Sequence, residues 1–313
     1  MSRISERRIL LGNGYRMGLQ LTARVAAPDR PRRARRVAPL ESPDRLPDAP
    51  ARTLNLRPSL EDLLEEHPVT IEINGRPVAT LLCTPVGIAE LAVGWAFAQG
   101  YFDDVEALRR VTAYDERVSL MIERPAAAGG AWEDLLAARL DPRGVPGLQP
   151  LGTDLQEEDG ESGEASGNAF QLERDRFFAA IDRISARIVA RSGGDGCHHA
   201  ALVDGERLCA IARDLGRQQA VDKVIGWALR ERIDRGRAML CLDGRIDAEI
   251  VFKAWRAGIP ILATTSAPTS DAVALAYAAG IAVAGHILDD RCAIYCHPWR
   301  VPDGGDSPAE NQD

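Results

Sequence analysis

The chain has 313 residues, 45% hydrophobic and 27% charged, and its formal net charge is −8. That balance belongs to an ordinary globular protein and excludes wholesale disorder or a fibrous repeat. The acidic total argues against tracking along nucleic acid, a mode that needs surplus Lys and Arg. No apolar run reaches the ~18 residues of a membrane-crossing helix. The opening residues also lack the apolar stretch and cleavage site of a secretory leader, so the expected location is cytoplasmic. Six cysteines, at 83, 197, 209, 241, 292 and 296, are scattered through apolar surroundings without a CxxC pair. That pattern suits reduced core thiols better than a disulfide framework.

In chain order, residues 23–52 are crowded with Pro, Arg and Ala and contain the run RPRRARR. Few large apolar residues are present to offset ordering entropy, so residues 1–54 read as a flexible Arg/Pro-rich tail. Residues 55–125 read as an N-terminal β-hairpin and helix subdomain. There VTIEINGRPVATLLC alternates apolar and polar residues about Asn74-Gly75, a hairpin signal, and a helix is expected from about Gly87 to Gln99, ending on Gly100. Residues 126–170 are dense in Gly, Pro, Ser and acid and read as a mobile loop or insertion.

Residues 171–300 read as the core domain. Phe177, Phe178, Ile181, Ile184 and Ile188 form one helical stripe, followed by regularly alternating strand and helix patterns. The fold class that follows is α/β, with a mixed sheet covered by helices in a three-layer α/β/α arrangement. Residues 301–313 read as a flexible C-terminal tail.

Three segments carry chemistry. In RDLGRQQAVDK, residues 213–223, a glycine stands between an acid and an arginine just ahead of a helix. Gly216 and Arg217 then offer backbone N–H groups, a helix dipole and a guanidinium to an anion, with Asp222 and Lys223 one turn further on. The same residues also fit an ordinary helix start whose charges pair with one another. DGRIDAE (243–249) and TTSAPTSDA (264–272) each follow a buried-looking strand, where open α/β sheets bind ligands. Their plainer reading is turn and cap chemistry, with Thr269 or Ser270 capping the next helix. Cys197, His198 and His199, with Cys292, Cys296 and His297, match no zinc spacing, so no metal is expected.

Taken together these strings resemble the FdhD family of formate dehydrogenase accessory sulfurtransferases, over most of residues 60 to 300. The family's E-E-x-P and N-G elements resemble Glu65-Glu66-His67-Pro68 and Asn74-Gly75. Its T-P and G-F pair is similar to Thr84-Pro85 and Gly94-Trp95, and its G-x-H-x-A-A to Gly196 through Ala201. D-V-G-R-H-N-A-x-D-K resembles Asp214 through Lys223, S-G-R-x-S-x-E resembles Asp243 through Glu249, and G-I-P-I with S-A-P-T-S resembles Gly258 to Ile261 and Ser266 to Ser270.

The resemblance implies a cytidine-deaminase-like α/β/α fold, a homodimer, and transient binding of molybdopterin guanine dinucleotide. It also implies sulfur passed from a cysteine desulfurase to a formate dehydrogenase-type molybdoenzyme. The cofactor-binding residues it implies are His198, Gly216, Arg217, Asp222, Lys223, Gly244, Arg245, Glu249 and Ser266, with the late loop His286, Ile287, Leu288, Asp289, Asp290 and Arg291.

The family's sulfur rides on a C-G-x-C-G motif, and the equivalent stretch here is Arg143-Gly144-Val145-Pro146-Gly147. Arg143 and Pro146 stand where the cysteines would be, which removes persulfide chemistry from that loop. Gln218 replaces a histidine; an amide holds a ligand but shuttles no proton near neutral pH. Asp243 and Asp247 replace serines and would repel a phosphate unless paired, with Arg245 or Arg291 the expected partners. Catalysis is therefore an open question, with Cys197 the substitute thiol. The expectation is an accessory protein for molybdenum-cofactor maturation with impaired persulfide chemistry. The alternative is a non-catalytic paralogue acting as a cofactor- or nucleotide-binding chaperone or regulator.

Overall fold

The computed structural model describes residues 64, 66–123, 150–151, 170–189, 196–205 and 207–303, and the compact body begins at Leu64. The Arg/Pro-rich tail, the RGVPG stretch and most of the predicted insertion lie outside the described residues.

Two sheets organise the body. The smaller has the strand order β2-β1-β4-β3. Its strands are β1 (His67–Ile73), β2 (Arg76–Cys83), β3 (Leu108–Tyr114) and β4 (Arg117–Ile122). The β1–β2 turn has the expected hairpin chemistry: Asn74 and Gly75 both take positive φ, 50° and 78°. Those values match the two left-handed residues that a two-residue turn needs to follow the strands' twist. Asn74 also exchanges hydrogen bonds with Ile122, so the hairpin tip is tied to β4. The second hairpin was not foreseen, and it encloses β1 by a parallel pairing with β4. Every second residue of β1 and β4 (Val69, Ile71, Ile73; Val118, Leu120, Ile122) is buried, as a one-sided sheet requires.

The larger sheet has the order β10-β9-β8-β7-β5-β6. It comprises β5 (His198–Asp204), β6 (Arg207–Asp214), β7 (Ala238–Leu242), β8 (Ile261–Thr264), β9 (Ala282–Leu288) and β10 (Arg291–Cys296). β7, β8 and β9 run parallel, and β5, β6 and β10 are added antiparallel, so the sheet is mixed as expected.

Strand alternation sends Ala200, Leu202, Leu240, Leu242 and Leu262 to one face. They pack there with α3 (Arg217–Arg230), α4 (Ala248–Arg256) and α5 (Ser270–Ala278). Ala201, Val203, Met239, Cys241 and Ala263 face the other way, against the Phe177, Ile181 and Ile184 stripe of α2 (Arg174–Val189). Among the described residues this gives three helices, a sheet and one helix in layers.

Helix α1 (Ile88–Ala98) packs beyond α3, starting at Gly87 (φ 71°) and closing on Gly100 (φ 80°). Its side chains, those of the small sheet and those of α3 to α5 form one continuous hydrophobic cluster. The predicted N-terminal subdomain is therefore continuous with the core. The α1–α3 crossing is unusually close. A Cβ on Gly94 would lie 1.9 Å from the Asp222 carbonyl oxygen, and one on Gly226 would lie 1.9 Å from that of Glu90.

The start of the predicted C-terminal tail is packed too. Val301 is buried and Arg174 N–H donates to the Pro302 carbonyl at 2.9 Å. Arg300, 1% exposed, donates through Nε to the Gly280 carbonyl at 2.9 Å, through Nη1 to that of Phe170 at 3.0 Å, and through Nη2 to that of Leu151.

Candidate functional site

Four segments meet at the carboxyl ends of β7 and β8: residues 196–199 entering β5, 214–218 between β6 and α3, 243–247 between β7 and α4, and 264–269 between β8 and α5. Hydrogen bonds join them. Asp243 accepts from the His199 backbone N–H at 2.9 Å and lies 2.9 Å from His199 Nδ1 and 3.3 Å from His198 Nδ1. Thr264 Oγ1 donates to the Gly244 carbonyl at 2.7 Å and accepts from Ser266 N–H at 3.0 Å, while Thr265 Oγ1 donates to the Asp243 carbonyl at 3.3 Å. The late loop joins through His286 N–H, which donates to the Ser266 carbonyl at 2.7 Å. Gly244 sits in close approach: a Cβ there would stand 3.3 Å from both Arg217 Cδ and His198 Nδ1, a tight contact that those side chains would have to relieve.

Asp247 has three partners. Its Oδ2 accepts from Arg217 Nη2 at 2.6 Å, and its Oδ1 accepts from Gln218 Nε2 at 2.9 Å and, as N-cap of α4, from Ile250 N–H at 3.1 Å. The expected pairing of the two added carboxylates with Arg245 or Arg291 is thus corrected. Asp243 is held by His198 and His199, and Asp247 by Arg217 and Gln218, while Arg245 and Arg291 are exposed. Sequence distance hid these partners, which lie about thirty to forty-five positions away. The capping of α5 falls to Thr269, whose Oγ1 accepts from Ala272 N–H at 3.2 Å.

Asp222 and Lys223 are buried, 1% and 3% exposed. Lys223 Nζ lies 2.5 Å from Asp214 Oδ2 and donates to Thr84 Oγ1 at 2.8 Å; Lys223 is 3% exposed and Asp214 fully buried. Asp222 pairs with Lys253 at 2.8 Å, and Glu249 reaches the same ammonium at 3.2 Å. Burial works against the Lys253 ammonium, yet the Asp222 and Glu249 carboxylates hold its pKa above the ordinary lysine value. Asp222 and Lys223, expected among the cofactor-binding residues, are buried and each pairs another charge, as a buried charge must; Glu249, expected with them, pairs with Lys253 and stays partly exposed. The residues missed from sequence, Thr84, Asp214 and Lys253, are the partners in those pairs. The signal for two of them was a lysine and an acid, Lys253 and Asp214, among otherwise apolar helix and strand positions.

In the late loop, His286 and Asp289 adopt φ of 51° and 53°, and His286, Leu288, Asp289, Asp290 and Arg291 are exposed. The Ile287 side chain is buried towards α2, where it lines a pocket of about 40 Å3 with Ile181, His199, Cys241, Asp243 and Thr265. Ile287 can therefore offer a ligand its backbone and not its side chain. Cys197 is partly buried where the chain enters β5. Burial pushes the Cys83 thiol up to about 11 and the Cys296 thiol to about 12, and drives the Cys241 thiol upward as well. Arg143 and Pro146 lie outside the described residues. Among the described residues the structure thus brings His198, Gly216, Arg217, Gly244 and Ser266 to one place, with the 286–291 loop attached through Ser266.

Comparison with known proteins agrees with this architecture. The FdhD/NarQ family model matches residues 64–302. The sulfur carrier protein FdhD of Xanthomonas euvesicatoria pv. vesicatoria is 34% identical over 244 residues, covering 75% of this chain and 84% of that protein. The protein of the same name from Mycobacterium tuberculosis is 36% identical over 265 residues, covering 77% and 92%. The crystal structure of a formate dehydrogenase accessory protein from Desulfotalea psychrophila superposes with a TM-score of 0.61 at 23% identity, over 77% of this chain and 90% of that one, a likeness of fold. The chain belongs to the FdhD/NarQ family.

Proposed function

We propose that this chain is an FdhD-type accessory protein of molybdenum-cofactor maturation in which ligand binding is retained and persulfide chemistry is impaired. The observation that carries the reading is the convergence of four loops at the carboxyl ends of β7 and β8, the place where open α/β sheets bind ligands. The ligand is molybdopterin guanine dinucleotide, held transiently. Of this chain's residues, the Arg217 guanidinium, the His198 imidazole and the Gly216 and Gly244 backbones would face its phosphates, with Arg245, Ser266 and the 286–291 loop at the rim. The Arg217 Nε, buried and without a hydrogen-bond partner among the described residues, supports a fit to an oxyanion. The client is a formate dehydrogenase-type molybdoenzyme, and the working form is a cytoplasmic homodimer of cytidine-deaminase-like topology.

Sulfur relay needs a thiolate that both accepts and releases a sulfane sulfur. Arg143 and Pro146 supply none, and burial disfavours ionisation at Cys83, Cys241 and Cys296. Of the three partly buried thiols, Cys197, Cys209 and Cys292, only Cys197 stands at the loop cluster, beside His198, and it is the candidate. The loss of both loop cysteines favours a second reading, a non-catalytic cofactor-binding chaperone or regulator.

Incubation with a cysteine desulfurase and cysteine, read by intact mass, separates the two. Wild type is expected to gain no sulfur, and the double variant Arg143→Cys, Pro146→Cys is expected to gain it. A sulfur adduct on wild type that Cys197→Ala abolishes would establish a working carrier instead.

A further inference from the structure

The Arg217 guanidinium already has an anion, and it belongs to the chain itself. Asp247 Oδ2 sits 2.6 Å from Nη2, and the Asp247 side chain is fixed from the other side by Gln218 Nε2 and by the first turn of α4. Gly244 brings this loop so near that an added Cβ would be 3.3 Å from Arg217 Cδ. In this arrangement a phosphate cannot take Nε and Nη2 together until Asp247 gives up Nη2.

The internal carboxylate nevertheless satisfies the cradle only in part. Nε and Nη2 form one edge of a guanidinium, the edge that a phosphate or carboxylate takes with both donors at once. Asp247 uses only Nη2, because its second oxygen is engaged by Gln218 and by the Ile250 N–H. Among the described residues Nε is buried without a partner, and so is the neighbouring Gln218 Oε1. Buried polar atoms are ordinarily paired, so the orphaned Nε donor marks a place for a better-matched acceptor, while the Gln218 oxygen would answer a donor on the same ligand.

We propose that Asp247 is the specificity-determining residue of this site, an internal carboxylate that a phosphate-bearing ligand must displace from Arg217 before it binds. The inference rests on the ligand-binding reading given above. It adds that the ligand's anion and Asp247 compete for one guanidinium edge. A ligand with a tetrahedral phosphate gains Nε as well as Nη2, whereas a monoanion bonding through one oxygen gains nothing over Asp247.

The variant Asp247→Ser removes the charge and keeps a hydroxyl that caps α4, since serine and aspartate are comparable N-caps. Asp247→Asn is a second variant that preserves side-chain size. Inorganic pyrophosphate, titrated calorimetrically, reads the cradle without any contribution from a base pocket. It is expected to bind both variants about tenfold or more tighter than wild type, the scale of one charge-assisted hydrogen bond. Adding Arg217→Gln to either variant should abolish the gain. Equal pyrophosphate affinity in wild type and both variants would overturn the proposal, as would a gain that survives Arg217→Gln. GDP titrated in parallel tests the broader reading separately. If the variants bind pyrophosphate tightly while no form binds GDP, the displacement mechanism stands and the guanine-nucleotide assignment falls.

Discussion

Lys223 and Asp214 are a buried ion pair, 2.5 Å apart and sharing Thr84 as a common partner. Removing one member of such a pair leaves the other as a lone buried charge, which costs about 3–5 kcal/mol. Lys223→Met should therefore lower unfolding stability by that amount in chemical denaturation. The double variant with Asp214→Asn should recover most of it, because two neutral groups carry no ionic desolvation penalty. Wild-type stability in Lys223→Met would show that the pair does not sit in the interior.

Burial also separates the thiols. Cys83, with its pKa pushed up to about 11, keeps its proton in the folded chain after the unfolded chain has begun to lose its own near 9.0. The folded form then binds more protons than the unfolded one, so this group makes stability fall as pH rises above about 9, through the window up to about 11. In mildly alkaline solution, alkylation of the native protein should reach Cys197 and Cys209 and spare Cys83, Cys241 and Cys296 until denaturant is added. Peptide mass mapping reads the order directly.

At the scale of elements, the α1–α3 crossing decides where the small sheet stands. Gly94 and Gly226 bring each helix against the other's backbone, and the ion pair between Arg230 and Glu90 lies along the same seam. A methyl group at Gly226 would meet a main-chain oxygen at 1.9 Å, and no rotamer relieves a clash with backbone. Gly226→Ala should cost at least the upper end of the roughly 1–3 kcal/mol that overpacking usually carries. Circular dichroism melts should show this loss, whereas Gly236→Ala, where the nearest atom is 3.4 Å away on a side chain, should leave the melt nearly unchanged.

At the scale of the whole molecule, the sequence was a good guide wherever the signal was local. Asn74-Gly75 announced its hairpin, the Phe177 to Ile188 stripe announced α2, and the strand and helix alternation after residue 198 announced the mixed sheet. The β3–β4 hairpin was missed because Asp115 and Glu116 turn without glycine and because Arg109 and Arg110 interrupt the alternation of β3. The site was legible as a set of loops but not as a set of pairings. Asp222 and Lys223 look like ligand groups in a linear string. Only the folded register shows that Lys253 and Asp214 already answer them, and that Asp243 and Asp247 answer His199 and Arg217.

The Arg300 guanidinium carries a consequence of another kind. It holds Leu151 and Phe170 by their carbonyls, so the two ends of the intervening stretch are fastened to one side chain. Loss of that one side chain would free three separate points of the backbone at once, the third being the Gly280 carbonyl behind α5.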